Sequence, residues 1–137
     1  MKTVCCNGVF DILHVGHISL LRQARALGDR LVVALNSDKS VKTLGKGPER
    51  PINSERDRRD LLLALRCVDD VVLFDEPTPE MVIHTLNPDV LVKGSDWKDM
   101  AYEVAGSQWV LSHGGAVVFL PVMEGYSTTK VLEKAKC

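Results

Sequence analysis

The chain has 137 residues, enough for one compact domain and too few for two. Hydrophobic residues make up 45% and charged residues 26%, and the formal net charge is −1. That balance lacks the basic excess of a dedicated nucleic-acid binder. No apolar run reaches the roughly 20 residues a membrane-spanning helix needs, and Met1-Lys2 leads into a strand rather than a signal peptide. A cytoplasmic protein with no membrane and no nucleic-acid partner is expected.

Thr3 to Cys6 reads as a strand that feeds a glycine-containing turn, Asn7-Gly8-Val9-Phe10-Asp11. Cys5 and Cys6 then face opposite sides of a sheet. With no Cys-x-x-Cys pair in the chain, its four cysteines read as incidental thiols. The turn leads to a helix that begins around His14-Val15-Gly16-His17 and runs from His17 to Leu27. A strand, a tight loop and a helix start make a phosphate site, because the first helical N–H groups lack internal partners and the helix dipole favours negative charge there. His14 and His17, three apart, add side-chain donors. A zinc site on this pair would find no third ligand at suitable spacing.

Leu31 to Leu35 is an apolar strand of the kind buried on both faces, ending at Asn36-Ser37-Asp38. From Lys39 to Asn53 no period emerges, and Gly45, Gly47, Pro48 and Pro51 break regular structure. Lys39, Lys42, Lys46 and Arg50 make this stretch basic. It is either a solvated loop or, beside a phosphate turn, a loop that closes over a polyanion. Ser54 to Asp57 resembles a capping box opening a helix to Arg66, with Leu61, Leu62 and Leu65 inward. Arg58 points the same way; either its stem packs while its head reaches water, or its guanidinium aims at phosphate.

Val71 to Phe74 is the third strand. Thr78-Pro79-Glu80 starts the next helix, with Thr78 as cap, Val82, Ile83 and Leu86 inward and His84 exposed. Val90 to Val92 is the fourth strand, ending in Lys93-Gly94-Ser95-Asp96-Trp97. A short helix over Ser107 to His113 and a fifth strand over Ala116 to Leu120 follow. Glu124-Gly125-Tyr126 turns into a last helix beginning at Ser127-Thr128-Thr129. Ser127 can cap that helix, and three hydroxyls at a helix start can equally bind phosphate.

Strands alternate with helices throughout, which predicts a Rossmann-like α/β fold: a doubly wound, parallel, five-stranded sheet with helices on both faces. Ligands bind such sheets beyond the carboxyl ends of the strands. Asn7 to His17, Asn36 to Asp38, Lys93 to Trp97 and Gly125 to Thr129 all follow strands and are expected to gather at one edge.

Gly8-Val9-Phe10-Asp11 followed by His14-Val15-Gly16-His17 resembles the signature of the cytidylyltransferase-like nucleotidyltransferases. The resemblance covers essentially the whole chain as one domain, 1–137. Asn36-Ser37-Asp38, Lys46-Gly47, Arg50-Pro51, Leu91 to Gly94 and Gly125 to Thr129 are similar to the branch that transfers AMP from ATP to heptose 1-phosphate, here without a kinase domain. The extra glycine in Gly45-Lys46-Gly47 departs from that pattern. A sister branch transfers CMP to glycerol 3-phosphate and shares the histidine motif, an Asp-Trp pair and the Ser-Thr-Thr ending. It carries arginine where Val122 stands.

The resemblance implies that His14, His17, Lys46 and Arg58 are catalytic. It implies a nucleotide seat of Asn7, Gly8, Val9, Phe10, Asp11, His14, Gly16, His17, Lys93, Gly125, Ser127, Thr128 and Thr129. Asn36, Asp38, Arg50, Asp96, Trp97 and Glu103 are assigned to the phosphorylated acceptor. Mg²⁺ is expected to arrive with ATP, held largely by phosphate oxygens and water, with Asp11 orienting it indirectly and no protein-built metal site. The resemblance also implies a homodimer. A nucleotide-binding sensor without turnover is the reading from another functional class.

Overall fold

The structure is a computed structural model and describes residues 1–94 and 104–136. Five strands form one parallel sheet: β1 (Thr3–Gly8), β2 (Arg30–Asn36), β3 (Asp70–Phe74), β4 (Val90–Gly94) and β5 (Ala116–Leu120). Their order is β3-β2-β1-β4-β5. All four pairings are parallel, with Gly8 opposite Leu35 and Val4 opposite Val90. The chain winds from β1 toward β3 on one side and toward β5 on the other, so the order reverses between β1 and β4. That switch point is where a doubly wound sheet leaves an open crevice.

The helices are α1 (Val15–Arg25), α2 (Asp38–Lys42), α3 (Glu55–Leu63), α4 (Glu80–Leu86), α5 (Ser107–Ser112) and α6 (Thr128–Ala135). Leu21 and Ala24 of α1 and Leu62 of α3 pack with Val4, Cys6, Val33 and Leu35 on one face of the sheet. Ile83 of α4 and Val110 of α5 pack with Cys5, Ala34 and Leu91 on the other. Cys5 and Cys6 therefore do face opposite sides, as the period of two requires. Burial pushes the Cys5 thiol up to about 12, reinforced by Cys6, and Cys6 up to about 11. Both are inert at neutral pH.

Several local expectations give way to tertiary structure. The first helix starts two residues earlier than expected, because His14 itself caps it, and ends at Arg25. The basic stretch opens with α2, one turn capped by Ser37 through Ser40 N–H. Five residues are too few to display a helical period. α3 stops at Leu63; Leu62 is buried in the core and Leu65, beyond the helix, packs against it, whereas Leu61, expected inward, is 45% exposed. α4 has Pro79 at its cap position without a side-chain bond, so Thr78 does not cap it. His84 is half-buried, bonded to Glu80 Oε1 at 3.1 Å and stacked on Trp109 at 4.0 Å. Among the described residues no helix is long and apolar enough to cross a membrane.

Candidate active site

The crevice holds a cavity of about 370 Å³ between the start of α1 and the start of α6. Beyond Gly8 the chain takes a left-handed step at Phe10, φ +47, which a bulky residue adopts only when its surroundings hold it. The Phe10 ring folds back over Gly8, where a Cβ would lie 2.9 Å from it. This reversal carries the chain into α1.

α1 is capped by imidazoles. His14 Nδ1 accepts the Gly16 N–H at 3.1 Å, and His17 Nδ1 accepts the His14 N–H at 3.3 Å. The arrangement is a capping box in which histidines replace the usual hydroxyl and carboxylate. An Nδ1 that accepts a backbone proton must carry its ring hydrogen on Nε2. Both neutral rings thus offer Nε2–H as their donor. They stack 3.8 Å apart, and the Phe10 ring lies 5.1 Å from that of His17. Burial, then the neighbouring His14, lowers His17 to about 4, and burial lowers His14 as well. The pair is neutral at pH 7.

The opposite wall is built around the β5–α6 connection. Ser127 caps α6 through Lys130 N–H at 3.0 Å and still lines the cavity. Thr128 Oγ1 donates to the Ile12 carbonyl at 3.5 Å, tying the two helix starts together. Two helix N-termini and two imidazole donors facing one space suit several phosphate groups. Lys46 adds a cation to the lining, and Arg50 stands beside it paired with Asp11 at 2.8 Å.

The expected site residues divide clearly. Val9, Phe10, Asp11, His14, Gly16, His17, Lys46, Arg50, Ser127, Thr128 and Thr129 line the cavity. Asn7, Gly8, Lys93 and Gly125 do not. Asn7 Oδ1 is buried with no hydrogen-bond partner among the described residues. Asn36 and Asp38 lie on the β2 side, away from the cavity: Asn36 Nδ2 bonds Ser40 Oγ, and Asp38 bonds Arg58. Asp96, Trp97 and Glu103 lie outside the described residues.

Arg58 is corrected most. It is wholly buried and divides its donors among the Asn53, Val9 and Asn36 carbonyls and Asp38 Oδ1, at 2.7–3.0 Å. Its guanidinium is spent on protein oxygens, so it adds no charge to a bound phosphate. Asp11 likewise is held by protein groups. It accepts from Ile52 and Asn53 N–H and from Arg50 Nε at 2.8 Å. Burial alone would raise its pKa; those backbone N–H bonds and the Arg50 pair outweigh it and hold the carboxyl below its usual range.

Leu20, Pro121, Val122 and Met123 also line the cavity and were not anticipated, and Tyr126, within the expected Gly125 to Thr129 stretch, joins them. Val122, Met123 and Tyr126 are exposed, although apolar or aromatic. Exposed apolar residues grouped beside a polar site were the one available signal for such a wall. The cavity lining thus combines cationic, hydroxyl and imidazole groups with apolar and aromatic ones, a mixture suited to a ligand that carries both phosphates and a ring.

The sequence profile of the cytidylyltransferase-like family matches residues 5–134. The chain belongs to that family. Membership makes it a nucleotidyltransferase. It is 55% identical over 133 residues to the bifunctional protein HldE of Koribacter versatilis, and 52% identical over 134 residues to that of Marinomonas sp.. These alignments cover 97% and 98% of this chain but only 27% and 28% of the relatives, so it spans about a quarter of their length. A solved lipopolysaccharide core biosynthesis protein from Thermoplasma volcanium shares the fold at a TM-score of 0.70 and 30% identity, over 93% of this chain and 99% of that one.

Proposed function

We propose that the chain transfers AMP from ATP to a heptose 1-phosphate. An oxygen of the sugar phosphate attacks the α-phosphorus in line. The bond from that phosphorus to the bridging oxygen breaks, and pyrophosphate leaves with the electron pair. The phosphate nucleophile is ionised at neutral pH, so no general base is needed, and catalysis rests on positioning and charge stabilisation. One observation carries the reading: two neutral imidazoles, their tautomer fixed by the α1 cap, present Nε2–H donors beside a second helix start.

His14 and His17 donate to phosphate oxygens. Lys46 adds charge from a loop with left-handed glycines on both sides, Gly45 and Gly47. Ser127, Thr128 and Thr129 receive phosphate at α6, and Arg50 stands at the acceptor side. Mg²⁺ enters with the nucleotide. Among the described residues no three histidines, cysteines or carboxylates converge on one point. An ion arriving with the nucleotide would be held largely by phosphate oxygens and water, and would supply charge neutralisation for the pyrophosphate. The sugar choice draws support from the relatives' resemblance and from the lipopolysaccharide role named for the Thermoplasma protein. The proposal includes a single domain acting as a cytoplasmic homodimer, which light scattering and fractionation test.

The deciding experiment crosses ATP and CTP with heptose 1-phosphate and glycerol 3-phosphate and scores pyrophosphate. Release with ATP and the heptose ester alone is expected. Release only with CTP and glycerol 3-phosphate would move the chain to the sister activity. Tight nucleotide binding without release would make it a sensor.

A further inference from the structure

Asn53 joins two hydrogen-bond systems. Its backbone N–H donates to Asp11 Oδ1 and its side-chain Nδ2 to the Asp11 carbonyl, both at 2.9 Å. Its own carbonyl accepts Arg58 Nε at 3.0 Å. Arg58 Nη1 then donates to the Val9 carbonyl at 2.9 Å and to the Asn36 carbonyl at 2.7 Å. The carbonyls on either side of Phe10, those of Val9 and Asp11, are therefore both held from this one cluster.

Phe10 is the strained residue of the turn, and its ring lies 5.1 Å from the His17 ring at an interplanar angle of 59°. A left-handed step at a non-glycine residue persists only while its neighbours over-determine it. Each of the two carbonyls is thus one of the restraints on that step. Arg58 is buried and Asn53 does not line the cavity, so neither acts by touching ligand.

We propose that Asn53 and Arg58 are positioning residues for transfer at this site: they lock the left-handed step at Phe10 and, through its ring, set His17 against the phosphates. The kinetic half of this inference rests on the nucleotidyl-transfer reading. The geometric half concerns the protein without substrate and is read separately.

Two variants test it, Asn53→Ala and Arg58→Lys. Asn53→Ala removes one side-chain bond and leaves both backbone bonds. Arg58→Lys keeps the charge and loses the fork. The first readout is the His17 imidazole titration by NMR, which starts from about 4 in the wild type. In folded Asn53→Ala it is expected to rise by roughly a unit or more as the ring gains water. The second is pyrophosphate release, where kcat falls roughly tenfold or more while KM for ATP changes little, the split expected of misplaced reacting groups. Arg58→Lys moves both further in the same direction. A wild-type His17 titration in folded Asn53→Ala, or an unchanged kcat, overturns the proposal. Should Arg58→Lys not fold, Asn53→Ala carries the test. Should the wild type release no pyrophosphate, the functional reading fails, and the His17 titration alone decides the positioning.

Discussion

His17 accepts the backbone N–H of His14 through Nδ1 at 3.3 Å, so the ring that faces the cavity also closes the end of α1. Each imidazole uses Nδ1 for the fold and keeps Nε2–H as its donor. In the proposed reaction, the geometry of transfer and the stability of α1 are coupled through the same two rings, and both respond to protonation.

That coupling sets a pH dependence. His17 lies at about 4 in the folded protein against 6.5 when unperturbed, and His14 is lowered in the same sense. Between those values the unfolded chain binds the extra proton. The stabilisation is complete above about 6.5 and is lost as pH falls toward 4. A proton on Nδ1 also removes the cap acceptor. The expected loss is on the order of 2 kcal/mol across that window. Urea midpoints at pH 4.5 and 7.5 measure it, with His17→Asn as reference. A midpoint difference equal in wild type and variant contradicts it.

Gly16→Ala opposes two effects of unequal size. Alanine favours a helix interior over glycine by about 0.5–1 kcal/mol. Here, however, the new methyl would meet the His14 ring at 2.9 Å and Tyr126 Cβ at 3.1 Å. His14 and Tyr126 must move apart. Thermal stability is expected to change little, because the two effects partly cancel. Pyrophosphate release is expected to fall roughly 10²-fold, as displaced catalytic groups do. Wild-type turnover in this variant would show that the His14 position is not critical.

Asp11→Asn keeps shape and removes charge. It leaves Arg50, 9% exposed, without its counter-ion. Breaking a buried pair from one side costs about 3–5 kcal/mol. The melting temperature is expected to fall by roughly 10 °C or more, and the loop carrying Lys46 to gain protease sensitivity. A melting temperature within a degree or two of wild type would mean the carboxylate does not hold this loop.

Much of this was legible locally. A strand, a glycine turn and two histidines at a helix start lie within fifteen residues, and their consequence needs no distant partner. Cys5 and Cys6 follow from the strand period alone. Arg58 and Asp11 were not legible, because their partners lie up to 49 residues away and are mostly backbone groups, which leave no mark in a sequence. Asn53 escaped notice as one more polar loop residue. Asn36 and Asp38 do follow a strand, but β2 lies on the side of β1 away from the switch point. The Pro121–Tyr126 wall belongs to a connection with no period to read.

Parallel assays of His14→Ala and His17→Ala with ATP and heptose 1-phosphate test the central claim most directly. Neutral Nε2–H donors at the transferred phosphate predict wild-type release of pyrophosphate and a loss of roughly 10²-fold or more in each variant, with circular dichroism unchanged. Near-normal turnover in either folded variant would contradict it.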